Sequence, residues 1–174
     1  MRTWRSTGGV LLVVAMLSVP AACSGNPTKS STGGNGNVKF VVNVDFSGLD
    51  PVKGSFTDTA TGINSGETSC SHFATGNAGL AWQGPGPNDT SSEQVGGTSV
   101  GFLITVANSA YHGPGTYTGK VVQFVSAGSD NFATSSNGSV TVKADGSGNA
   151  SFSGAANRVG TGTESGTISW TCST

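Results

Sequence analysis

The sequence predicts an all-β fold: an antiparallel β-sandwich, or alternatively a β-barrel, of about eight or nine short strands over residues 38–174. Three observations carry this expectation. Apolar residues alternate with polar ones at a period of two in several windows, and no window sustains a period of 3.6. Beyond residue 23 the chain holds fourteen Val against three Leu and no Met. Valine is stiff at χ1 and fits a pleated surface better than a helix. The 28 glycines supply turns at the short, regular intervals that an antiparallel sheet needs.

The elements follow in order. VKFVVNVDF (38–46) puts Val38, Phe40, Val42, Val44 and Phe46 on one face and Lys39, Asn43 and Asp45 on the other, a strong strand pattern. Weaker strands fit 52–59, 67–73, 79–83 and 116–125. In the third, Leu80 and Trp82 alternate; the last is apolar on both faces, as a central strand is. Between Pro85 and Gln94 there is room for one short helical turn. TSVGFLITV (98–106) aligns Val100, Phe102, Ile104 and Val106. Tyr111 and Tyr117 bracket a Gly/Pro turn. SVTVKA (139–144), DGSGN (145–149) and ASFSG form a hairpin, because Asp-Gly takes positive φ cheaply. GTISWTC (166–172) closes the domain with Ile168, Trp170 and Cys172 on one inward face.

The first 22 residues differ in kind. Arg2 and Arg5 precede an apolar run, GGVLLVVAMLSV, and then small residues. That is the layout of a secretory signal peptide, and the run is shorter than the ~20 residues of a membrane span. PAAC (20–23) resembles the lipobox of bacterial lipoproteins. The resemblance implies cleavage before Cys23 and lipidation of its thiol, with palmitate-type acyl chains anchoring the protein to the extracytoplasmic face of the cell membrane. The alternative is plain secretion. Two acyl chains give stable attachment, at ~0.8 kcal/mol per buried methylene. Ser24 to Asn37 is almost free of apolar residues and reads as a flexible tether of roughly 20 Å end to end. The expected organisation is therefore a signal peptide over 1–22, a lipidated Cys and tether over 23–37, and a β domain over 38–174.

Charge is scarce at 10% of residues, with a formal net charge of −1. Without the leader, six basic residues remain against nine acidic ones. The basic residues are scattered, so binding to nucleic acid is not expected. The chain has three cysteines. With Cys23 lipidated, Cys70 and Cys172 remain as a pair, and an oxidising compartment favours a disulfide between them over two buried thiols. The lipidated Cys, the Ser/Thr/Gly-rich tether, the early Cys70 and the ending SWTCST together resemble mycobacterial and related actinobacterial lipoprotein antigens. That resemblance covers architecture and carries no catalytic residues.

The candidates for chemistry are thin. GTSVG (97–101) matches G-x-S-x-G, but Ser99 lies in a strand pattern and not at a strand–turn–helix elbow. Asp145, Ser147 and Asn149 alternate as in a calcium loop, yet the required downstream Glu is missing. His72 follows Cys70 by two residues and is expected on its face, satisfied and largely buried; His112 sits in a solvated loop. The Asp and Glu residues show no spacing that implies a catalytic pair, although an envelope hydrolase with an unrecognised site stays open. Trp82 precedes QGPGPND; it either stacks a sugar ring as a ligand-binding residue or plugs the core. No cofactor or metal is expected. The function expected is a membrane-anchored binding module without enzymatic activity, its partner a protein or, alternatively, a carbohydrate of the cell wall.

Overall fold

The structure is a computed structural model, and it describes residues 38–59, 69–76, 79–84, 94–133 and 137–174. The leader, Cys23, the tether and the turn expected after Pro85 lie outside the described residues. Within them the chain forms eleven strands and one short helix: β1 (Lys39–Gly48), β2 (Val52–Thr59), α1 (Cys70–Thr75), β3 (Leu80–Gln83), β4 (Gln94–Val95), β5 (Thr98–Val106), β6 (Gly115–Gly119), β7 (Val122–Ala127), β8 (Asp130–Ala133), β9 (Gly138–Val142), β10 (Gly148–Asn157) and β11 (Thr163–Ser173). The all-β antiparallel class is as the sequence predicts.

The strands belong to one continuous antiparallel sheet in the order β2-β1-β11-β10-β8-β7-β5-β3, with β4 beside β5 and the β9/β6 pair branching from β10. At ~4.8 Å per strand, β1 and β3 would stand about 29 Å apart in a flat sheet. Yet the rings of Phe40 on β1 and Trp82 on β3 have centroids 4.9 Å apart. The sheet therefore curls onto itself as a half-barrel whose two walls face each other like those of a sandwich. A bulge in β10 sets the curl. The β10–β11 register shifts between Phe152 and Ala155. On its other edge β10 pairs with β9 before the bulge and with β8 after it. Bulges bend strands and redirect their pairing.

The walls close over a core of Val and aromatic residues. Trp82 also lies 4.8 Å from Trp170, 5.0 Å from Phe102 and 5.9 Å from Phe73 between ring centroids. Its indole N–H donates to Asp58 Oδ2 at 3.3 Å. The indole N–H of Trp170 donates to the Gly146 carbonyl at 2.8 Å. Buried tryptophans need such partners.

One expected strand is a helix. The segment 67–73 was expected to be extended, but residues 70–75 form α1. Ser69 caps it by accepting the His72 N–H at 3.0 Å, and Gly76 (φ 54) ends it with its N–H on the His72 carbonyl. Ser, Thr and Asn at an N-cap satisfy otherwise orphaned amides. The helix delivers Phe73 and Ala74 to the core. It also means that His72 and Cys70 do not share a face, since residues two apart on a helix lie roughly 200° apart. The expected strand 116–125 is two strands, β6 and β7, separated at Lys120 and Val121, and Gly119 has φ 106.

Cys70 and Cys172 are bonded, with S–S 2.09 Å and Cα–Cα 5.8 Å. The bridge ties α1, not an early strand, to the last strand, and both cysteines are only partly buried against the core. The 145–149 turn abuts this bridge: a Cβ on Gly146 (φ 78) would come within 2.5 Å of the Cys70 carbonyl oxygen. Glycine is thus required there by both space and conformation.

Two stability outcomes follow. Reduction, or Cys70→Ser with Cys172→Ser, removes a crosslink spanning 102 residues and is expected to cost up to ~4–5 kcal/mol in urea unfolding. Trp82→Ala is expected to cost about 3–5 kcal/mol in the same assay, as other buried aromatic truncations do.

Candidate functional site

The ring that the sequence offers for sugar stacking is not accessible. Trp82 is 1% exposed and is packed among four rings. A sugar needs one free aromatic face, so the ligand-binding role for Trp82 is corrected to a core role. No aromatic stands among the exposed large hydrophobics of the described residues, which are Val41, Leu49 and Val159.

Other sequence candidates fall to their local geometry. Ser99 lies in β5 opposite Gln94 of β4, so G-x-S-x-G spans a β-hairpin, not a nucleophile elbow. In the 145–149 turn, Asp145 Oδ1 accepts from the Ser147 hydroxyl at 2.6 Å and from its N–H at 2.9 Å. These bonds hold the Asp145 carboxyl below the usual carboxylate range and commit it to the turn. Among the described residues no three His, Cys, Asp or Glu gather to hold a metal ion. His112 is exposed, its Nδ1 3.0 Å from the Ala110 carbonyl oxygen, and its ring rests on Tyr117.

Two regions remain with organised polar groups. The first is the outer face of the wall built by β2, β1, β11, β10, β9 and β6. The pleat sends every second residue outward, and the registers line these residues up. Ser55 faces Asn43, Asn43 faces Ser169, Ser169 faces Asn149, Asn149 faces Thr141, and Thr141 faces Thr116. A parallel row runs Lys53, Asp45, Thr167, Ser151, Ser139 and Thr118. Neighbours bond across strands: Lys53 Nζ to Asp45 Oδ2 at 2.6 Å, Ser139 Oγ to Ser151 Oγ at 2.8 Å, and Thr116 Oγ1 to Thr141 Oγ1 at 2.9 Å. Each row spans about 24 Å across six strands. Two shallow hollows of about 440 and 350 Å³ lie on this face, and Asn43 and Ser169 line both. Lys143 borders one, and the exposed Lys53–Asp45 pair borders the other. The sequence showed the alternation on each strand. It did not show the register, and only the register turns scattered Ser, Thr and Asn into rows.

The second region is the end of the barrel where three turns meet: β1–β2, β7–β8 and β10–β11. Glu164 on β11 is 0% exposed. Its Oε2 accepts the Asp50 N–H at 3.0 Å. Leu49 N–H reaches the Thr163 carbonyl at 3.2 Å, and Arg158 N–H reaches the Asn131 carbonyl at 2.8 Å. Asn157 Nδ2 donates to Asp130 Oδ1 at 2.7 Å. The Asp50 carboxyl is held above the usual carboxylate range, first by hydrogen bonding with Asp130, then by burial and the Asp130 charge. Sequence reasoning missed this cluster because its members come from four elements with no fixed spacing.

Glu164→Ala would leave the Asp50 N–H without an acceptor and open a void at a fully buried site. The expected cost is about 1–3 kcal/mol in urea unfolding, and Glu164→Gln, which keeps an acceptor oxygen, is expected to cost less.

No family model, no curated protein and no solved structure matches this chain.

Proposed function

We propose that the chain is an exported envelope lipoprotein, held to the membrane by lipid on Cys23, whose β domain is a binding module without catalytic activity. The observation that carries the reading is the contrast between inside and outside. The interior is packed with rings and Val, which speaks against a ligand held within the barrel. The outer wall presents ordered rows of hydroxyls and amides over two adjoining hollows. Such a wall suits a neutral, polar partner, because the face carries little net charge and its side chains both donate and accept hydrogen bonds. A cell-wall glycan, as the second reading, would be held by those hydrogen bonds alone, since Trp82 offers no stacking face.

Lipid attachment is tested by radiolabelled palmitate, which is expected to enter the wild-type protein and not Cys23→Ser. The binding face is tested by a photo-crosslinking residue placed at position 169, 43 or 159. Partner adducts are expected at 169 and 43 and not at 159, which is 81% exposed on the β10–β11 turn. Equal crosslinking at all three positions would overturn the assignment of the face. Arginine at position 169 is expected to weaken retention on purified cell wall at least ~10-fold if the partner is a glycan, a loss of about 1.4 kcal/mol.

A further inference from the structure

The polar wall contains a line of side chains whose hydrogen-bonding capacity the domain does not use. Ser55 of β2, Asn43 of β1, Ser169 of β11 and Asn149 of β10 stand directly opposite one another across four adjacent strands. No hydrogen bond or ion pair joins these four side chains to another described residue. The residues around the line are paired: Lys53 with Asp45, Ser139 with Ser151, and Thr116 with Thr141. Both hollows lie on the line. One runs from Asn43 past Ser169 and Asn149 to Thr141 and Lys143. The other runs from the same Asn43 and Ser169 back to Ser55 and Lys53. Because they share two residues, the hollows form one track from β2 to β9, four strand spacings or about 19 Å long.

The chemistry of the track narrows its occupant. Asn amides and Ser hydroxyls each donate and accept. Covering them without replacing their bonds to water is costly, so the partner must bring hydroxyls or amides of its own. Fixed charge selects no ion: Lys53 is offset by Asp45, and Lys143 is followed by Asp145 in the next turn. Protein partners bind through aromatic, Met and Arg anchors in desolvated pockets. Among the described residues the one large exposed hydrophobic of this wall is Val41, and it lines neither hollow. Trp170 lies under the first hollow but is 2% exposed. A linear glycan carries hydroxyls along its whole length, and its rings are about as long as the ~4.8 Å between strands. We propose that the track is a binding site for a linear, uncharged glycan laid across the strands, with about one sugar ring to each strand from β2 to β9 and Asn43 and Ser169 at its centre. This rests on the binding-face reading above and names the occupant of that face and its orientation. The shallow hollows hold an internal stretch of the polymer and do not enclose a chain end, so affinity depends on chain length.

The test is an array of uncharged linear oligosaccharides, two to six units long and varied in sugar and linkage, probed with the disulfide-bonded full chain. Calorimetry follows on each series retained. At least one series is expected to bind, about tenfold more tightly at four units than at two and with little further gain at six. Asn43→Ala is expected to erase the gain with length and to leave Tm unchanged, because Asn43 is exposed on β1. Val159→Ala, on the β10–β11 turn, is expected to leave binding unchanged. Equal affinity for short and long chains, retention of charged glycans alone, or no retention overturns the proposal. Crosslinking separates that failure from failure of the face. Adducts with a protein at positions 43 and 169 but not 159 would keep the face and overturn the glycan, whereas equal adducts at all three would overturn both.

Discussion

The meeting of Trp82 with four other rings is the constraint on which the domain depends. Its partners come from β1, α1, β5 and β11, elements that span residues 39 to 173. Hydrogen bonds between strands fix neighbours but not how far a sheet bends. Ring contacts across the barrel fix the bend. Each well-placed pair adds about 0.5–1.5 kcal/mol beyond its buried area, and together they offset the scarcity of Leu and the absence of Met in the domain. Valine supplies the stiff walls, and the aromatic residues fill the gap between them.

The disulfide acts on the same centre. It fastens the first turn of α1 to the end of β11, and α1 carries Phe73 into the ring cluster. A helix of six residues has little intrinsic stability. Its Ser69 cap, the bridge and the packing of Phe73 hold it in place. The 145–149 turn belongs to this assembly as well. Gly146 allows the backbone to touch Cys70, and its carbonyl receives the Trp170 indole N–H. One turn thus serves the core and the bridge together.

Much of the fold was legible because period-two alternation survives in any antiparallel sheet with one buried face. β1, β5, the β9–β10 hairpin and β11 stand where their patterns put them. The Cys70–Cys172 pair was legible from cysteine arithmetic. The failures have physical causes. Residues 70–75 are too short for helical periodicity, and the signal that marks them is the Ser69 and Gly76 pair of caps. β4 and β8 have two and four residues, too few for alternation to register. Trp82 carries two readings, a core ring or a sugar-stacking surface ring, because a single tryptophan beside a loop has no partner in the sequence. The polar cluster of the three-turn end was invisible, since Asp50 reaches Glu164 and Asn157 reaches Asp130 only through the fold.

The distribution of charge now has a structural sense. Along the two rows of the polar wall the only charged residues are Lys53 and Asp45, and they neutralise each other. The fully buried carboxylate, Glu164, stands at the three-turn end, opposite Gly48 at the far end of β1. The chain enters β1 at Lys39, beside Ser173 and one residue from the bridged Cys172. Nine residue steps along β1 put the turns about 30 Å from that point. The bridged end and the carboxyl end therefore differ in what holds them. A covalent bond and packed rings secure the first. Hydrogen bonds among turns secure the second, among them Asp50 N–H to Glu164 and Asn157 to Asp130. Local opening should begin where few apolar contacts and many polar ones maintain the structure, and that is the end where the Asp50 N–H meets Glu164.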